Sequence, residues 1–360
     1  MNKKLLTLLT SWLLVIVLLA GCTLIPSVEP PAPSSSTPSS SVVVTPPSSS
    51  SSIVSTPPTS QPTTPTTQPT TPPATQPTTP PATQPGDQTQ ESSFKVHFID
   101  VGQADAILVQ CDGKNMLIDG GNAPDSNLMY TYLKKHNVTH LEYVIGTHAH
   151  EDHIGGIPGA LQVATVDTVY CPSTTYTTKA FKNFAAAVAK RNKAITVPTV
   201  GTTFNLGSAV CTILAVNTDK KDMNNTSIVM RVVYGNTTFL FTGDAEREVE
   251  QKLLDSGVDL KADVLKVGHH GSNSSTTYPF LREVMPEYAV ICVGTDNSYG
   301  HPTNDTLSRL RDAEVKTFRT DKQGDIICVS DGNTVTFTPS RNADMDMYQK
   351  IGPNSTQNAA

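Results

Sequence analysis

Hydrophobic and polar positions divide the chain into three unequal stretches. Leu5 to Leu19 is a predominantly apolar run, preceded by Lys3 and Lys4. From 23 to 93 apolar residues become sparse; Ser, Thr, Pro and Gln dominate, and Glu29, Asp87 and Glu91 are the only charges. From Phe94 onward, short β-branched runs alternate with amphipathic stretches. The short β-branched runs predict strands over Lys95–Val101, Ala106–Cys111, Asn115–Asp119, Leu141–Thr147, Val166–Cys171, Ala209–Ala215, Ile228–Tyr234, Thr237–Thr242, Asp263–Gly268 and Ala289–Val293, with closing strands after residue 311. The 3.6-period stretches predict helices over Asn127–Lys135, Lys179–Arg191, Ala245–Asp255, Thr277–Met285 and Asn304–Arg311. Strands lead in each half and helices are interspersed. This suits two packed sheets with helices outside.

The first stretch is too short, at 15 residues, for the ~20 that a spanning helix needs. It ends in Leu19-Ala20-Gly21-Cys22, which resembles the lipobox of bacterial lipoproteins. The resemblance implies a signal peptide over 1–21, cleavage before Cys22 and a lipid on that cysteine. The stretch 22–93 repeats QPTTPPAT at 68–75 and 76–83. It has little to bury, so the entropy of ordering it is not offset, and its prolines favour an extended tether. The expected organisation is therefore signal peptide 1–21, tether 22–93, folded domain 94–339 and a disordered polar tail 340–360. The expected location is the outer face of a bacterial cell membrane, lipid-anchored through Cys22 and tethered across the cell wall.

Charge adds an exclusion. The formal net charge is −6, and removal of Lys3 and Lys4 with the signal takes it to −8. Such a balance shows no broad nucleic-acid affinity, although a local basic groove is compatible with it. Beyond Leu5–Leu19 no other long apolar run exists, so no transport channel is expected in this sequence. Cys111, Cys171, Cys211, Cys292 and Cys328 form no CxxC pair, and most lie in strand-like runs. They read as buried small hydrophobes rather than as a disulfide framework.

Against this background one hexapeptide is anomalous. His148 to His153 packs three histidines and two acids into THAHEDHIGG, at the end of a predicted strand. His148 and His150 suit one metal ion, and Asp152 and His153 its neighbour. Gly155 and Gly156 then permit a tight turn. Three further strand ends carry ligand-type residues: IDGG at 118–121, LFTGD at 240–244 and LKVGHHGS at 265–272. A dinuclear hydrolytic site needs such N/O donors and one bridging carboxylate.

Together with FIDVGQADA at 98–106, NSYGHP at 297–302 and RTDKQGDI at 319–326, these motifs resemble the metallo-β-lactamase fold. More narrowly, they resemble the extracellular metallo-β-lactamase-like domain of ComEC-type DNA-uptake competence proteins. The resemblance spans about 94–339. It implies an α/β, four-layered αββα sandwich holding two divalent ions, zinc or manganese. Carried over, His148 and His150 bind the first ion, Asp152 and His153 the second, and Asp244 bridges. His269 completes the second site, with His270 as the alternative. Asp119 orients a ligand histidine, and Asp100 and Gln103 buttress the same loop.

Two departures matter. Ala104 stands where the family has glycine. No histidine occurs between His153 and His269, where β-lactamases and glyoxalases place a ligand of the first ion. That absence speaks against β-lactam hydrolysis. Asn225, inside the gap, either faces the substrate or is a turn residue. His301 or His270 is the expected general acid, and Asp152 joins them in the catalytic set. His301 is otherwise a surface residue. The implied activity is phosphodiester hydrolysis by a hydroxide shared between the ions, with extracellular DNA as the leading substrate. Choline phosphate or another cell-wall phosphodiester is the alternative, and a non-catalytic metal-containing module is a third. No protein partner is expected.

Overall fold

The computed structural model describes residues 93–219 and 221–348. The expected signal peptide, Cys22 and nearly all of the tether lie outside them. The chain runs β1 (Phe94–Phe98), β2 (Ala106–Cys111), β3 (Lys114–Asp119), α1 (Ser126–Lys135), β4 (His140–Ile145), α2 (Glu151–Ile154), α3 (Ile157–Val163), β5 (Thr165–Tyr170), α4 (Lys179–Lys190) and β6 (Ile195–Thr196). The second half runs β7 (Thr203–Leu206), β8 (Ala209–Ala215), β9 (Val229–Tyr234), β10 (Thr237–Phe241), α5 (Arg247–Ser256), β11 (Val264–Lys266), α6 (Tyr278–Val284), β12 (Tyr288–Ile291), α7 (Asn304–Asp312), β13 (Lys316–Arg319), α8 (Thr320–Gln323), β14 (Ile326–Ser330) and β15 (Val335–Pro339).

Among the described residues these strands form two sheets. One has the order β15-β14-β1-β2-β3-β4-β5-β6, the other β13-β12-β11-β10-β9-β8-β7. Strand alternation explains why they stack. On β2, Ile107, Val109 and Cys111 face the core between the sheets, while Ala106 and Leu108 face the outer helices. On β10, Phe239 and Phe241 point inward and Leu240 outward. The first sheet packs its outer face on α1, α3 and α4, the second on α5, α6 and α7. The result is the four-layered αββα sandwich. The five cysteines are all buried in these layers, with no disulfide among the described residues.

Helix ends follow local chemistry. The hydroxyls of Thr178 and Thr303 accept the backbone N–H of Phe181 and Thr306, capping α4 and α7. Gly257, at φ 66°, ends α5. No helix among the described residues is long and apolar enough to cross a membrane.

Residues 157–163 form a further helix, α3, started by Pro158 in its first turn. Two expectations need correction. Gly155 and Gly156 have φ −63° and −90°, so they do not supply a left-handed turn. Their service is steric: a Cβ on Gly156 would sit 1.9 Å from the carbonyl oxygen of Gly120. Finally, order continues past Pro339. Arg341 pairs with Asp100 at 2.9 Å, Arg319 donates to the carbonyl of Met347 at 2.9 Å, and the Tyr348 hydroxyl donates to the Val315 carbonyl. The tail is polar, but buried cationic side chains bind its carbonyls, and Met347 is itself buried.

Candidate metal centre

Every candidate ligand sits just beyond the C-terminal end of a strand. β3 ends in Asp119, and β4 leads into Thr147 and His148. β10 leads into Asp244, and β11 leads into His269 and His270. His150 is the residue immediately before α2, whose first turn holds Asp152 and His153. A short helix is the natural device here. It turns two consecutive side chains towards the same mouth between the sheets.

Four donor atoms meet there. Asp152, His153, Asp244 and His270 each offer one atom, all within 4.8 Å of one another. His153 Nε2 lies 3.2 Å from Asp244 Oδ2 and 3.9 Å from Asp152 Oδ2. His270 Nε2 lies 3.4 Å from Asp152 Oδ2 and 3.7 Å from Asp244 Oδ2. Donors about 2.0–2.1 Å from a tetrahedral ion stand ~3.4 Å apart, so the spacing fits a metal of that kind. The bonding pattern agrees. His153 Nε2, His270 Nε2 and Asp244 Oδ1 are buried with no hydrogen-bond partner among the described residues. Buried polar atoms are rarely left so.

A second group shares Asp244. His148 Nε2 lies 3.8 Å from Asp244 Oδ2 and 3.0 Å from His150 Nδ1. The carboxylate therefore stands between the two histidine sets, as a bridging ligand requires.

Supporting contacts hold the rings. Asp119 Oδ2 is 2.8 Å from His153 Nδ1 and accepts the Thr147 hydroxyl at 2.7 Å, while its Oδ1 accepts the Thr147 N–H at 2.8 Å. Asp119 adopts φ 57°, an uncommon conformation for a residue with a side chain. Asp105 was not singled out from the sequence. Its Oδ1 lies 3.2 Å from His270 Nδ1, and its Oδ2 lies 2.8 Å from the ammonium of buried Lys266. The signal was present, because both residues belong to the quoted motifs, but a lysine inside an apolar strand reads as exposed.

Electrostatics divide the histidines. Burial opposes charge on His153, yet Asp244 and Asp119 outweigh it and raise its pKa well above 6.5. His270 is likewise opposed by burial and pushed up to about 10 by Asp244 and Asp105. Burial instead drives His148 well below 6.5, and the neighbouring His153 adds to this. Burial disfavours ionised Asp244, but His153 and His270 hold its carboxyl well below the usual range.

The site opens into a cavity of about 530 Å³, lined by His150, Asp152, His269, His301, Asn224 and Tyr299 among others. His301 does reach the site, its ring 5.3 Å from that of His269. Gln103 also lines the cavity, and its Oε1 accepts the Gly294 N–H at 3.1 Å. Two expectations change. His270, not His269, joins Asp152 and His153, because His269 and His270 both take left-handed φ values of 46° and 52° and break the strand's alternation. Of its two readings, Asn225 takes that of the turn residue. Its amide bonds Asp222 at 2.7 Å, and its Oδ1 accepts the Glu246 N–H at 3.1 Å, whereas its neighbour Asn224 lines the cavity. Asp100 buttresses the tail through Arg341 rather than the metal loop.

Comparison with known proteins agrees with this geometry. The model of the metallo-beta-lactamase superfamily matches residues 99–295. ComE operon protein 3 of Bacillus subtilis (strain 168) is 29% identical over 254 residues, covering 65% of this chain and 33% of that protein. Competence protein ComA of Neisseria gonorrhoeae is 44% identical over 104 residues, covering 29% and 15%. The match thus spans a third or less of these relatives' length. Among solved structures, the metallo-beta-lactamase fold protein YhfI from Bacillus subtilis has a TM-score of 0.44 at 16% identity, covering 66% of this chain and 100% of its own. With more than half of its length matched by the family model, the chain belongs to the metallo-beta-lactamase superfamily, as a relative of the competence proteins.

Proposed function

We propose that this metal-dependent hydrolase is a phosphodiesterase, acting as a surface-tethered nuclease on extracellular DNA. The observation that carries the reading is the sharing of Asp244 Oδ2 between two sets of buried donors at one cavity. A pair of divalent ions, zinc or manganese, would supply there a hydrolytic nucleophile and a clamp for the phosphoryl oxygens. His148 and His150 would hold one ion, Asp152, His153 and His270 the other, with Asp244 between them. Asp119 and Asp105 fix the rings of His153 and His270. With His270 enclosed among donors, the proton for the leaving oxygen falls to the His301 imidazole, which lines the cavity wall. DNA as substrate rests on the resemblance to DNA-uptake competence proteins, with relatives named Competence protein ComA and Recombination protein 2.

The net charge of −6 favours a second reading, a small cell-wall phosphodiester such as choline phosphate. An activity panel on the metal-loaded full-length chain separates the two. It contains single- and double-stranded DNA, RNA, bis-p-nitrophenyl phosphate, p-nitrophenyl phosphorylcholine and nitrocefin. Nitrocefin turnover without phosphodiester cleavage would overturn both readings. For the location, Leu5–Leu19 and Cys22 support a lipid anchor and signal peptide. Cys22→Ala should then leave unprocessed precursor or release protein without lipid; normal processing and anchoring of that variant would refute it.

A further inference from the structure

The first donor set has fewer side chains than the second, which gathers Asp152, His153, His270 and Asp244. His148, His150 and Asp244 give three protein donors, and the stretch from Ile154 to Gly268 contains no histidine to add another. A candidate arrives from the other side of the cavity. His269 Nε2 lies 3.7 Å from Asp244 Oδ2, the oxygen that stands 3.8 Å from His148 Nε2. These separations match those within the His270 group.

The ring of His269 is held for that purpose. Its Nδ1 lies 2.9 Å from Glu246 Oε1. The same oxygen accepts the Ser274 hydroxyl at 2.9 Å and the Asn224 amide at 3.1 Å. A carboxylate facing Nδ1 fixes the proton there and leaves the Nε2 lone pair directed at the cavity. Glu246 follows Asp244 by two residues, on the turn between β10 and α5, so one loop provides both the shared carboxylate and the brace. The consecutive left-handed residues supply the last element. They send His270 Nδ1 to the Cys292 carbonyl at 2.9 Å and His269 Nδ1 to Glu246, so that adjacent histidines serve different neighbours.

We propose that His269, braced by Glu246, is a ligand of the first ion and replaces the histidine missing between His153 and His269. The two histidines of one Gly-His-His-Gly loop then serve different ions. This rests on reading the site as dinuclear, but its test counts metal rather than product. The metal-stripped full-length chain is titrated with Zn²⁺ by calorimetry, and bound zinc is counted by elemental analysis. The wild type should hold two ions. His269→Ala should keep one at wild-type affinity and bind the other at least ~100-fold more weakly. Glu246→Gln, a conservative change at a partly buried side chain, should weaken that same ion ~10–100-fold, the usual effect of losing a bracing carboxylate. Double variants identify the site. His148→Ala with His269→Ala should retain one ion, and His270→Ala with His269→Ala none. Two ions of unchanged affinity in His269→Ala, the reverse pattern in the doubles, or a single ion in the wild type would overturn the proposal. A chain that binds zinc as expected but cleaves no phosphodiester would leave the ligand assignment standing and remove only the proposed activity.

Discussion

Lys266 Nζ lies 2.8 Å from Asp105 Oδ2, and both side chains are 1% exposed. Asp105 also reaches His270, so this pair ties the core of the second sheet to the metal centre. Removing one buried partner leaves an uncompensated charge, at a cost of about 3–5 kcal/mol. Lys266→Met should therefore lower the unfolding free energy by that amount in urea titrations. Asp105→Asn added to Lys266→Met should recover most of it, because neither charge then remains buried alone. A loss below about 1 kcal/mol in the single variant would show that water or protonation relieves Asp105.

At Gly156 the metal loop packs closely on the segment that follows β3. The Gly156 N–H donates to the Gly121 carbonyl at 2.9 Å, and the Gly120 N–H donates to the His153 carbonyl at 2.7 Å. A Cβ at Gly156 would overlap the Gly120 oxygen at 1.9 Å, so the two segments must part. Gly156→Ala should cost at least about 2 kcal/mol and weaken metal binding as well. Gly201→Ala is the control. Gly201 has φ 85° but no atom within 4 Å of an added Cβ. It should show only a conformational cost of about 1–2 kcal/mol and unchanged metal content. Equal metal affinity in the two variants would disconnect the glycine packing from the site.

His97 gives a pH dependence that does not pass through the metal ligands. It is buried on β1, with its ring nitrogens 3.1 Å from the Tyr132 hydroxyl and 3.1 Å from the Gln110 carboxamide oxygen. Burial, with help from His136, pushes its pKa from 6.5 down to about 4. The unfolded chain then binds a proton that the fold refuses. Stability from this group is complete above pH 6.5 and falls as pH drops from 6.5 to 4, by about 3 kcal/mol. Compared in excess chelator, His97→Gln should lose less stability between pH 7 and pH 4 than the wild type. Identical slopes would assign the acid sensitivity elsewhere.

The sandwich was legible because strands covered on both faces read as short unbroken apolar runs. Ala106 to Val109 has no polar position, which is enough to place β2 between two layers. The centre was legible where a motif keeps its donors on one turn, as at Asp152 and His153. It was not legible where backbone conformation decides direction. Nothing in Gly-His-His-Gly announces two consecutive left-handed residues, so strand alternation pointed His269 inward and the structure turns His270 there instead. Asn225 stayed open between two readings for a related reason. The short 3₁₀ turn at Asn224–Thr226 swings Asn224 to the cavity and Asn225 towards Asp222 and the Glu246 backbone.

The remaining question at the site is which late histidine handles protons. His270 is 1% exposed, and its Nε2 faces Asp152 and Asp244. His301 stands on the cavity wall, stacked on Tyr299 with ring centroids 5.8 Å apart. Tyr299 is itself 71% exposed. An enclosed ring among donors suits a ligand, and a ring at the rim suits contact with substrate. His270→Ala should therefore lose one ion and almost all turnover. His301→Ala should keep both ions while the rate on DNA falls ~10²–10⁴-fold, the usual share of a general acid. The fall should be much smaller on bis-p-nitrophenyl phosphate, because p-nitrophenolate leaves without needing a proton. Metal content and both rates are measured on the same preparations. Loss of metal from His301→Ala with retention in His270→Ala would exchange the two roles. An equal fall on both substrates would make His301 a binding residue rather than a proton donor.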